Sequence, residues 1–217
     1  MARLKTAVLI SGRGSNLQAL LDACAEPAFP AEIALVVSNV AGAYGLTRAE
    51  RAGVPTLVID HKGFDGRAAF DQAVDQAIRA AGCEAVCLAG FMRLLTPDFV
   101  AGWHGRMLNV HPSLLPAFKG LHTHERALEA GVRLHGCSVH FVTADLDAGP
   151  IVAQAAVPVL RGDTPDDLGA RVLVQEHRIY PLALRLLAEG RLRLSGGVVE
   201  IDDATRAPES ALVNPAP

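Results

Sequence analysis

The chain has 217 residues, 50% of them hydrophobic, and a formal net charge of -3. This length allows one large domain or two small ones with ample core, and the near-neutral charge gives no electrostatic basis for nucleic acid or an anionic membrane as the main partner. No apolar run approaches the ~18 residues that suggest a membrane span, and no basic segment followed by an apolar stretch opens the chain, so secretion is disfavoured.

The cysteines bear on the cellular compartment. Cys83 and Cys87 are too far apart for a C-x-x-C redox pair, and each lies beside apolar residues. Free cysteines are commonly buried, so we predict that these two, and also Cys24 and Cys137, are reduced and buried. Together with the charge, this indicates a soluble cytoplasmic protein.

Up to about residue 110, short apolar runs alternate with segments of helical period. The runs that predict buried strands are 6–10, 33–38, 56–60, 85–90 and 107–110, and the segments that predict helices are 15–25, 44–52, 67–81 and 97–103. Thr96 before Pro97 fits an N-cap followed by proline in the first helical turn. This alternation predicts an α/β fold with a mainly parallel, Rossmann-like open sheet that has helices on both faces.

The pattern changes after residue 110. A long loop leads to a helix at 123–129, and the runs 137–143 and 150–159 predict a strand pair that forms an antiparallel C-terminal extension. A last helix begins at Thr164 with a capping-box-like start and runs toward Pro181, where we expect a bend or an interruption. Residues 1–203 are predicted to form a single domain, and the tail at 204–217 is predicted to be disordered.

The first candidate site is the stretch LISGRGSNLQALLDA (9–23), in which a strand leads through Gly12 and Gly14 into a helix capped near Ser15 or Asn16. Glycines let backbone N–H groups turn toward a ligand, and a helix N-terminus favours an anion, so the stretch suits a phosphate. It is neither a full dinucleotide fingerprint nor a P-loop. An ordinary tight strand-to-helix turn explains it equally well.

The second candidate site is Asn109-Val110-His111-Pro112, where a predicted strand ends. Alternation places Asn109 and His111 on the same face, and Pro112 favours an extended conformation for His111. We therefore expect the pair at the carboxyl edge of the sheet, where open α/β folds bind ligands. An amide and an imidazolium there can donate to an oxyanion, and a polar strand end without a function is the alternative.

Two carboxylates complete the candidates. Asp147 lies in the turn 145–150, and near His111 it would favour the charged imidazole and fix its orientation; the residues alone favour a solvated turn, because Asp is common in turns. Glu176 falls on the apolar stripe of the last helix, between Val172 and Ile179. It either lies at the edge of the buried face or meets an amine or cationic partner, because an unpaired buried charge is costly.

Metal and nucleophile chemistry find little support. The histidines His104, His111, His122 and His124 are available, but no H-E-x-x-H is present and the cysteine spacing does not complete a structural site. We therefore predict no metal. Ser113 is not predicted to be a nucleophile, because the sequence HPSLL around it lacks the G-x-S-x-G elbow.

Five blocks of the sequence resemble the motifs of one protein family and occur in the same order along the chain. They are SGRGSNLQAL, LAGFMRLL, NVHPSLLPAFKGLHTHE, SVHFVTADLDAGPIVAQ and RVLVQEHRIYP, and they cover most of residues 6–181. The motif HPSLLP followed later by D-x-G-P resembles the motifs of the wider class of formyl-transferring folate enzymes. The GxGSN loop and the QEH helix narrow the resemblance to the folate-dependent glycinamide ribonucleotide formyltransferases.

This resemblance implies transfer of a formyl group from 10-formyltetrahydrofolate, a co-substrate, to the amine of glycinamide ribonucleotide in de novo purine biosynthesis. By match, Asn109, His111 and Asp147 are the catalytic trio, Gly14, Ser15 and Asn16 hold the substrate phosphate, and Glu176 receives the substrate amine. The residues matched to folate binding are Arg67, at the acidic tail of folate, with Met92, Arg93, Leu94, Leu95, Asn109, Thr143, Ala144, Asp145, Leu146 and Asp147. It also implies a nucleotide-binding half at about 1–105 and a catalytic and folate-pocket half at about 106–203.

The sequence departs from the family pattern at two places. Arg13 stands where some relatives carry Asn, and PAFKG replaces a PKYPG-type loop but keeps a basic group at Lys119. The partners implied are the two small molecules, without nucleic acid or membrane, and the oligomeric state, including a homodimer, is left open. No covalent enzyme intermediate is needed.

Three other functions compete with this interpretation of the sequence. Methionyl-tRNA formyltransferases normally carry a further nucleic-acid-binding domain, which we do not expect in this chain. Formyltetrahydrofolate deformylases use a similar trio to deliver water, and usually have an extra N-terminal domain, which we do not expect either. A non-catalytic nucleotide-binding module would leave Asn109, His111 and Asp147 without a role.

Overall fold

The computed structural model describes residues 2–202 and residue 214. The tail predicted at 204–217 lies outside the described residues except for Asn214. The Asn214 side-chain amide donates to the carbonyl oxygens of Arg133 at 2.7 Å and Val159 at 2.8 Å.

A seven-stranded sheet forms the centre of the molecule. Its strands are β1 (Leu4–Ile10), β2 (Ala31–Ser38), β3 (Thr56–Val58), β4 (Ala85–Leu88), β5 (Met107–His111), β6 (Leu134–Phe141) and β7 (Ile151–Pro158). They lie in the order β3-β2-β1-β4-β5-β6-β7. The first five strands pair in parallel, whereas β6 and β7 are antiparallel to their neighbours. The predicted parallel sheet with an antiparallel extension is confirmed, with strand ends that differ by a few residues.

Helices cover both faces of this sheet, as predicted. They are α1 (Ser15–Ala25), α2 (Tyr44–Arg51), α3 (Arg67–Ala80), α4 (Pro97–Gly102), α5 (Thr123–Glu129) and α6 (Pro165–Ala188). The alternation of β1 serves both faces: Val8 and Ile10 join the core beneath α1, α2 and α6, while Ala7 and Leu9 join the core beneath α3 and α4. This two-sided burial explains why the parallel strands are continuous apolar runs.

The helix starts follow the capping signals. Thr164 accepts a hydrogen bond from the Asp167 backbone N–H at 3.2 Å and Asp167 accepts one from the Thr164 N–H at 3.0 Å, which completes the predicted capping box with Asp in place of Glu. Thr96 accepts a hydrogen bond from the Phe99 N–H at 3.4 Å, with Pro97 in the first turn.

The interruption expected at Pro181 is wrong, because α6 continues to Ala188 with Pro181 inside it. Proline removes one backbone donor from the helix. Packing offsets the loss: Tyr180, Ala183 and Leu184 are fully buried. The Tyr180 hydroxyl donates to the Leu88 carbonyl at 2.9 Å and lies 3.2 Å from the Leu108 carbonyl. The helix is thereby anchored to β4 and β5 next to the proline.

A small hairpin near the end of the described range was not predicted. Strands β8 (Leu192–Ser195) and β9 (Val198–Ile201) pair antiparallel. Gly196 and Gly197 connect them with φ values of 57° and 85°, the left-handed conformation that a tight two-residue hairpin turn needs. The Gly-Gly pair between two short alternating runs was the available signal. Within the described part of the chain, no helix has the length and apolar character needed to cross a membrane.

Candidate active site

The predicted catalytic side chains meet at the carboxyl edge of the sheet. Asn109 and His111 lie at the end of β5, and the loop between β6 and β7 brings Asp147 against His111. The Nδ1 atom of His111 lies 3.4 Å from Oδ2 of Asp147, and the two side chains are only 7% and 8% exposed. Asp147 is therefore a buried partner of the imidazole, which excludes the solvated turn considered above for this residue.

The loop after β5 closes over this pair. The Nε2 atom of His111 lies 3.0 Å from the Phe118 carbonyl oxygen, and the Gly120 N–H donates to Oδ2 of Asp147 at 2.9 Å. Both ring nitrogens of His111 thus face an oxygen acceptor.

Backbone strain also concentrates here. Among the described residues, the non-glycine positions with positive φ are Phe118 at 53°, His122 at 57° and Asp147 at 46°. Such conformations are uncommon outside glycine and cluster at functional sites. All three flank His111 or the cavity beside it, so the strain lies where the site is built.

His140 is a member of the site that sequence reasoning missed. It lies in β6 directly opposite Asn109, and its Nε2 atom is 3.2 Å from the Asn109 amide nitrogen and 3.8 Å from Oδ1 of Asp147. Burial lowers the pKa of His140, against the nearby Asp147 charge, which raises it. The signal was its position on a predicted strand, but the register that brings it to Asn109 is a tertiary property.

A cavity of about 590 Å³ opens beside these residues. Its lip carries exposed apolar side chains, among them Met92, Leu94 and Leu146. With the exception of Arg67, the residues matched to folate binding all line it; they are Met92, Arg93, Leu94, Leu95, Asn109, Thr143, Ala144, Asp145, Leu146 and Asp147. Arg67 is exposed at the start of α3, outside this lining.

The glycine loop forms a second region. Gly14 adopts the left-handed conformation at φ 69°, α1 begins at Ser15, and its first turn contains no acidic residue. Two hydrogen bonds from α2 hold the loop. The Gly45 N–H donates to the Gly12 carbonyl oxygen at 3.0 Å, and the Arg48 guanidinium donates to the Arg13 carbonyl oxygen at 2.9 Å. The free N–H groups and the dipole of α1 at this loop suit an anion.

The side-chain cap expected at Ser15 or Asn16 is wrong, because no side chain caps α1. Instead, the Asn16 amide donates to Oε2 of Glu176 at 2.7 Å. Glu176 is 6% exposed, so the interpretation as an edge residue is also wrong. Burial raises the pKa of Glu176, and the Asn16 hydrogen bond opposes that rise. The glycine loop and α6 therefore meet through this pair.

Ser11 connects the glycine loop to the cavity and was also missed. Its hydroxyl donates to Asn39 at 2.6 Å and accepts from the Met92 N–H at 2.8 Å, and its own N–H donates to the Gly90 carbonyl at 3.1 Å. A serine after a strand carries no sequence signal for such a contact. Ser11 thus joins the end of β1 to Gly90 and Met92, which line the cavity.

The glycine loop allows a direct test. A Cβ added at Gly14 would lie 2.6 Å from the Gly45 Cα, at a positive φ, whereas one added at Gly12 meets nothing within 4 Å. We expect Gly14→Ala to lower the free energy of unfolding by about 1–3 kcal/mol, measured by urea denaturation, with Gly12→Ala as the matched control. Equal stability of the two variants would refute the tight packing of this loop.

Other chemistry-bearing residues are accounted for within the described part of the chain. The Ser113 hydroxyl donates to the Ala117 carbonyl at 2.6 Å and is buried in the loop. All four cysteines are free and buried, as predicted, and burial raises the pKa of the Cys87 thiol to about 12. No group of three or more His, Cys, Asp or Glu side chains that could hold a metal ion occurs in residues 2–202.

Comparison with known proteins fits this geometry. The formyl transferase family model matches residues 4–184. A phosphoribosylglycinamide formyltransferase from Escherichia coli is 49% identical over 93% of this chain and 95% of its own length. The trifunctional purine biosynthetic protein adenosine-3 from Bos taurus is 55% identical over 88% of this chain, which spans only 19% of that protein. A crystal structure of glycinamide ribonucleotide transformylase 1 from Symbiobacterium toebii superposes with a TM-score of 0.91 and 54% identity, covering 93% and 95% of the two chains.

The match over residues 4–184 shows that the chain belongs to the formyl transferase family. Its mainly parallel open sheet carries a histidine–aspartate pair at the carboxyl edge. Within that family it is similar over nearly its whole length to the phosphoribosylglycinamide formyltransferases. The resemblance found in the sequence motifs is confirmed.

Proposed function

We propose that this protein transfers the formyl group of 10-formyltetrahydrofolate to the amine of glycinamide ribonucleotide. The observation that carries the proposal is the buried contact of 3.4 Å between His111 and Asp147, with Asn109 beside them in the wall of one cavity. Similarity to phosphoribosylglycinamide formyltransferases over nearly the full chain supports the choice of substrates.

The cavity is proposed as the folate site. Ligand pockets are typically about 300–1,000 Å³ and mostly apolar with a few placed polar groups, and this one has about 590 Å³. The Met92–Leu95 and Thr143–Asp147 segments would hold the folate rings. Arg67, exposed outside the lining, would reach the acidic tail.

The nucleotide is proposed to bind between the glycine loop and α6. Backbone N–H groups of Gly14, Ser15 and Asn16 would hold its phosphate at the start of α1. Glu176 would receive the amine end, because a buried carboxylate is stabilised by a cationic or donor-rich partner. The proposed single domain has a nucleotide half at about 1–105 and a catalytic and folate half at about 106–203. Each half also contributes to the other's site, because Met92–Leu95 lies in the first half and Glu176 in the second.

The proposed reaction is a direct attack of the neutral amine on the formyl carbon. A new C–N bond forms to the nucleotide, the oxygen takes up negative charge, and the bond to the leaving folate nitrogen then breaks. Asn109 and protonated His111 donate to this oxygen, and Asp147 stabilises the imidazolium. The amine proton passes to the leaving nitrogen through Asp147 and water, so charge and atoms balance.

One contact must change for this reaction. The Nε2 atom of His111 faces the Phe118 carbonyl at 3.0 Å in the described conformation. Since Nδ1 faces Asp147, Nε2 is the nitrogen available to the oxyanion. The oxyanion therefore has to replace the Phe118 carbonyl as its acceptor.

The function is tested by mixing the protein with 10-formyltetrahydrofolate, with and without glycinamide ribonucleotide, and following the absorbance of the folate product. We expect turnover that requires the nucleotide. Equal turnover without the nucleotide would identify a deformylase, and no turnover in either mixture would identify a binding module.

We also propose a cytoplasmic location, which the four buried free thiols support.

Glu176→Gln keeps the shape and an acceptor for the Asn16 amide but removes the charge. We expect the KM for the nucleotide to rise by about 10- to 100-fold, because one charged hydrogen bond is lost. The KM for the folate should stay near that of the unmodified protein. Initial-rate kinetics with each substrate varied in turn measure both. Unchanged nucleotide kinetics would leave Glu176 with a structural role only.

A further inference from the structure

The protonation state of His140 can be read from its hydrogen-bond partners. Its Nδ1 atom lies 2.8 Å from the carbonyl oxygen of Phe141, and a carbonyl oxygen only accepts hydrogen bonds. Nδ1 therefore carries a proton. The state of Nε2, which faces the amide nitrogen of Asn109 at 3.2 Å, then decides whether the ring is neutral or charged.

The surroundings favour the neutral ring. His140 is 2% exposed, and burial is the largest influence on its pKa, which it lowers. The charges of His111 and Lys119 act in the same direction, whereas the hydrogen bond to the Phe141 carbonyl and the charge of Asp147 raise the pKa and favour a charged ring. Asp147 is 3.8 Å from Nε2, beyond hydrogen-bond distance, and is already engaged by His111 and Gly120. A bare Nε2 is then an acceptor for the Asn109 amide.

The consequence falls on Asn109, whose amide presents donors on one side and an acceptor on the other. When His140 is neutral, the Asn109 nitrogen must face Nε2. One N–H of the amide then binds His140, and the second N–H stays on the same side of the Asn109 side chain. Against a charged His140, Nε2 becomes a donor, and the amide has to turn its oxygen toward it. The position of the donors of Asn109 in the cavity thus depends on one proton of His140.

We infer that His140 is a positioning residue: as a neutral imidazole with its proton on Nδ1, it accepts a hydrogen bond from Asn109 and fixes the side on which the Asn109 amide donates. The antiparallel pairing of β5 with β6 supplies the alignment, because Asn109 and His140 are direct cross-strand partners. The use of those donors at an oxyanion rests on the proposed function; the hydrogen bond itself does not.

The tautomer is tested first, without reference to activity. Imidazole ¹⁵N chemical shifts of the full chain, assigned to His140 by its loss in His140→Gln, are measured at neutral pH. We expect a protonated Nδ1 and an unprotonated Nε2. A proton on Nε2, in the neutral or the charged ring, would overturn the inference.

A double-mutant cycle tests whether His140 acts through Asn109. We expect His140→Phe to lower kcat by about 10- to 100-fold, the effect of a misplaced catalytic group, with His140→Gln, which keeps an acceptor, losing less. In the Asn109→Ala background the same changes should have no further effect on kcat. Independent, multiplicative losses would overturn the positioning role.

Thermal unfolding of each variant separates misfolding from misplacement, and His140→Gln carries the cycle where His140→Phe does not fold. The outcomes also separate the two proposals. If the unmodified protein transfers no formyl group, the proposed function fails, while the tautomer measurement still decides the contact between His140 and Asn109.

Discussion

Replacing His111 with alanine is expected to lower kcat by about 100- to 1,000-fold or more, because one placed oxyanion donor is worth that much. Binding of a folate analogue should persist, since the Met92–Leu95 and Thr143–Asp147 segments that line the cavity are unchanged. Steady-state kinetics and equilibrium titration with the analogue measure the two effects separately.

His104→Ala is the control for this change. His104 is exposed and is not among the residues lining the cavity, so both its kcat and its folate affinity should match those of the unmodified protein. A near-normal kcat in His111→Ala would remove His111 from its proposed role. Loss of folate binding in that variant would assign His111 to binding rather than to the reaction.

Replacing Asp147 with asparagine is the second large change. The substitution keeps the size of the side chain and an acceptor for the Gly120 N–H but removes the charge 3.4 Å from His111. Since Asp147 is proposed to stabilise the imidazolium and to move the amine proton, we expect kcat to fall by about 100- to 10,000-fold. Asp166→Asn, at an exposed position on the first turn of α6, should retain full activity.

Steady-state kinetics of the two variants measure the effect. A kcat of Asp147→Asn within a few fold of that of the unmodified protein would show that Asp147 takes no part in the reaction.

Much of the fold could be predicted from the sequence, because local patterns of residues indicate where its strands and helices lie. Continuous apolar runs predicted the strands that are buried on both faces of the sheet. Thr96 and Thr164 predicted helix starts that the structure contains. Alternation also placed Asn109 and His111 together at the end of β5. Pro181 misled the prediction because its cost is local, whereas the packing of Tyr180 and its neighbours that offsets it is tertiary.

The rest of the site depends on contacts between distant segments. Asp147 lies 36 positions after His111 in the sequence and contacts it in the fold, and only the family resemblance connected them. His140 depends on strand register, and the contact of Asn16 with Glu176 replaced an expected helix cap. The closure of Phe118 and Gly120 over the histidine–aspartate pair is a loop conformation that composition does not encode.

The most direct measurement is a crystal structure with glycinamide ribonucleotide and an unreactive formyl-folate analogue bound together. The proposed mechanism predicts that the carbon in place of the formyl group lies between the nucleotide amine and the leaving nitrogen. Its oxygen should accept hydrogen bonds from Asn109 and from Nε2 of His111, with the Phe118 carbonyl displaced and Asp147 still against Nδ1. A complex in which Asp147 faces bulk water away from the imidazole, or in which that oxygen contacts neither Asn109 nor His111, would contradict it.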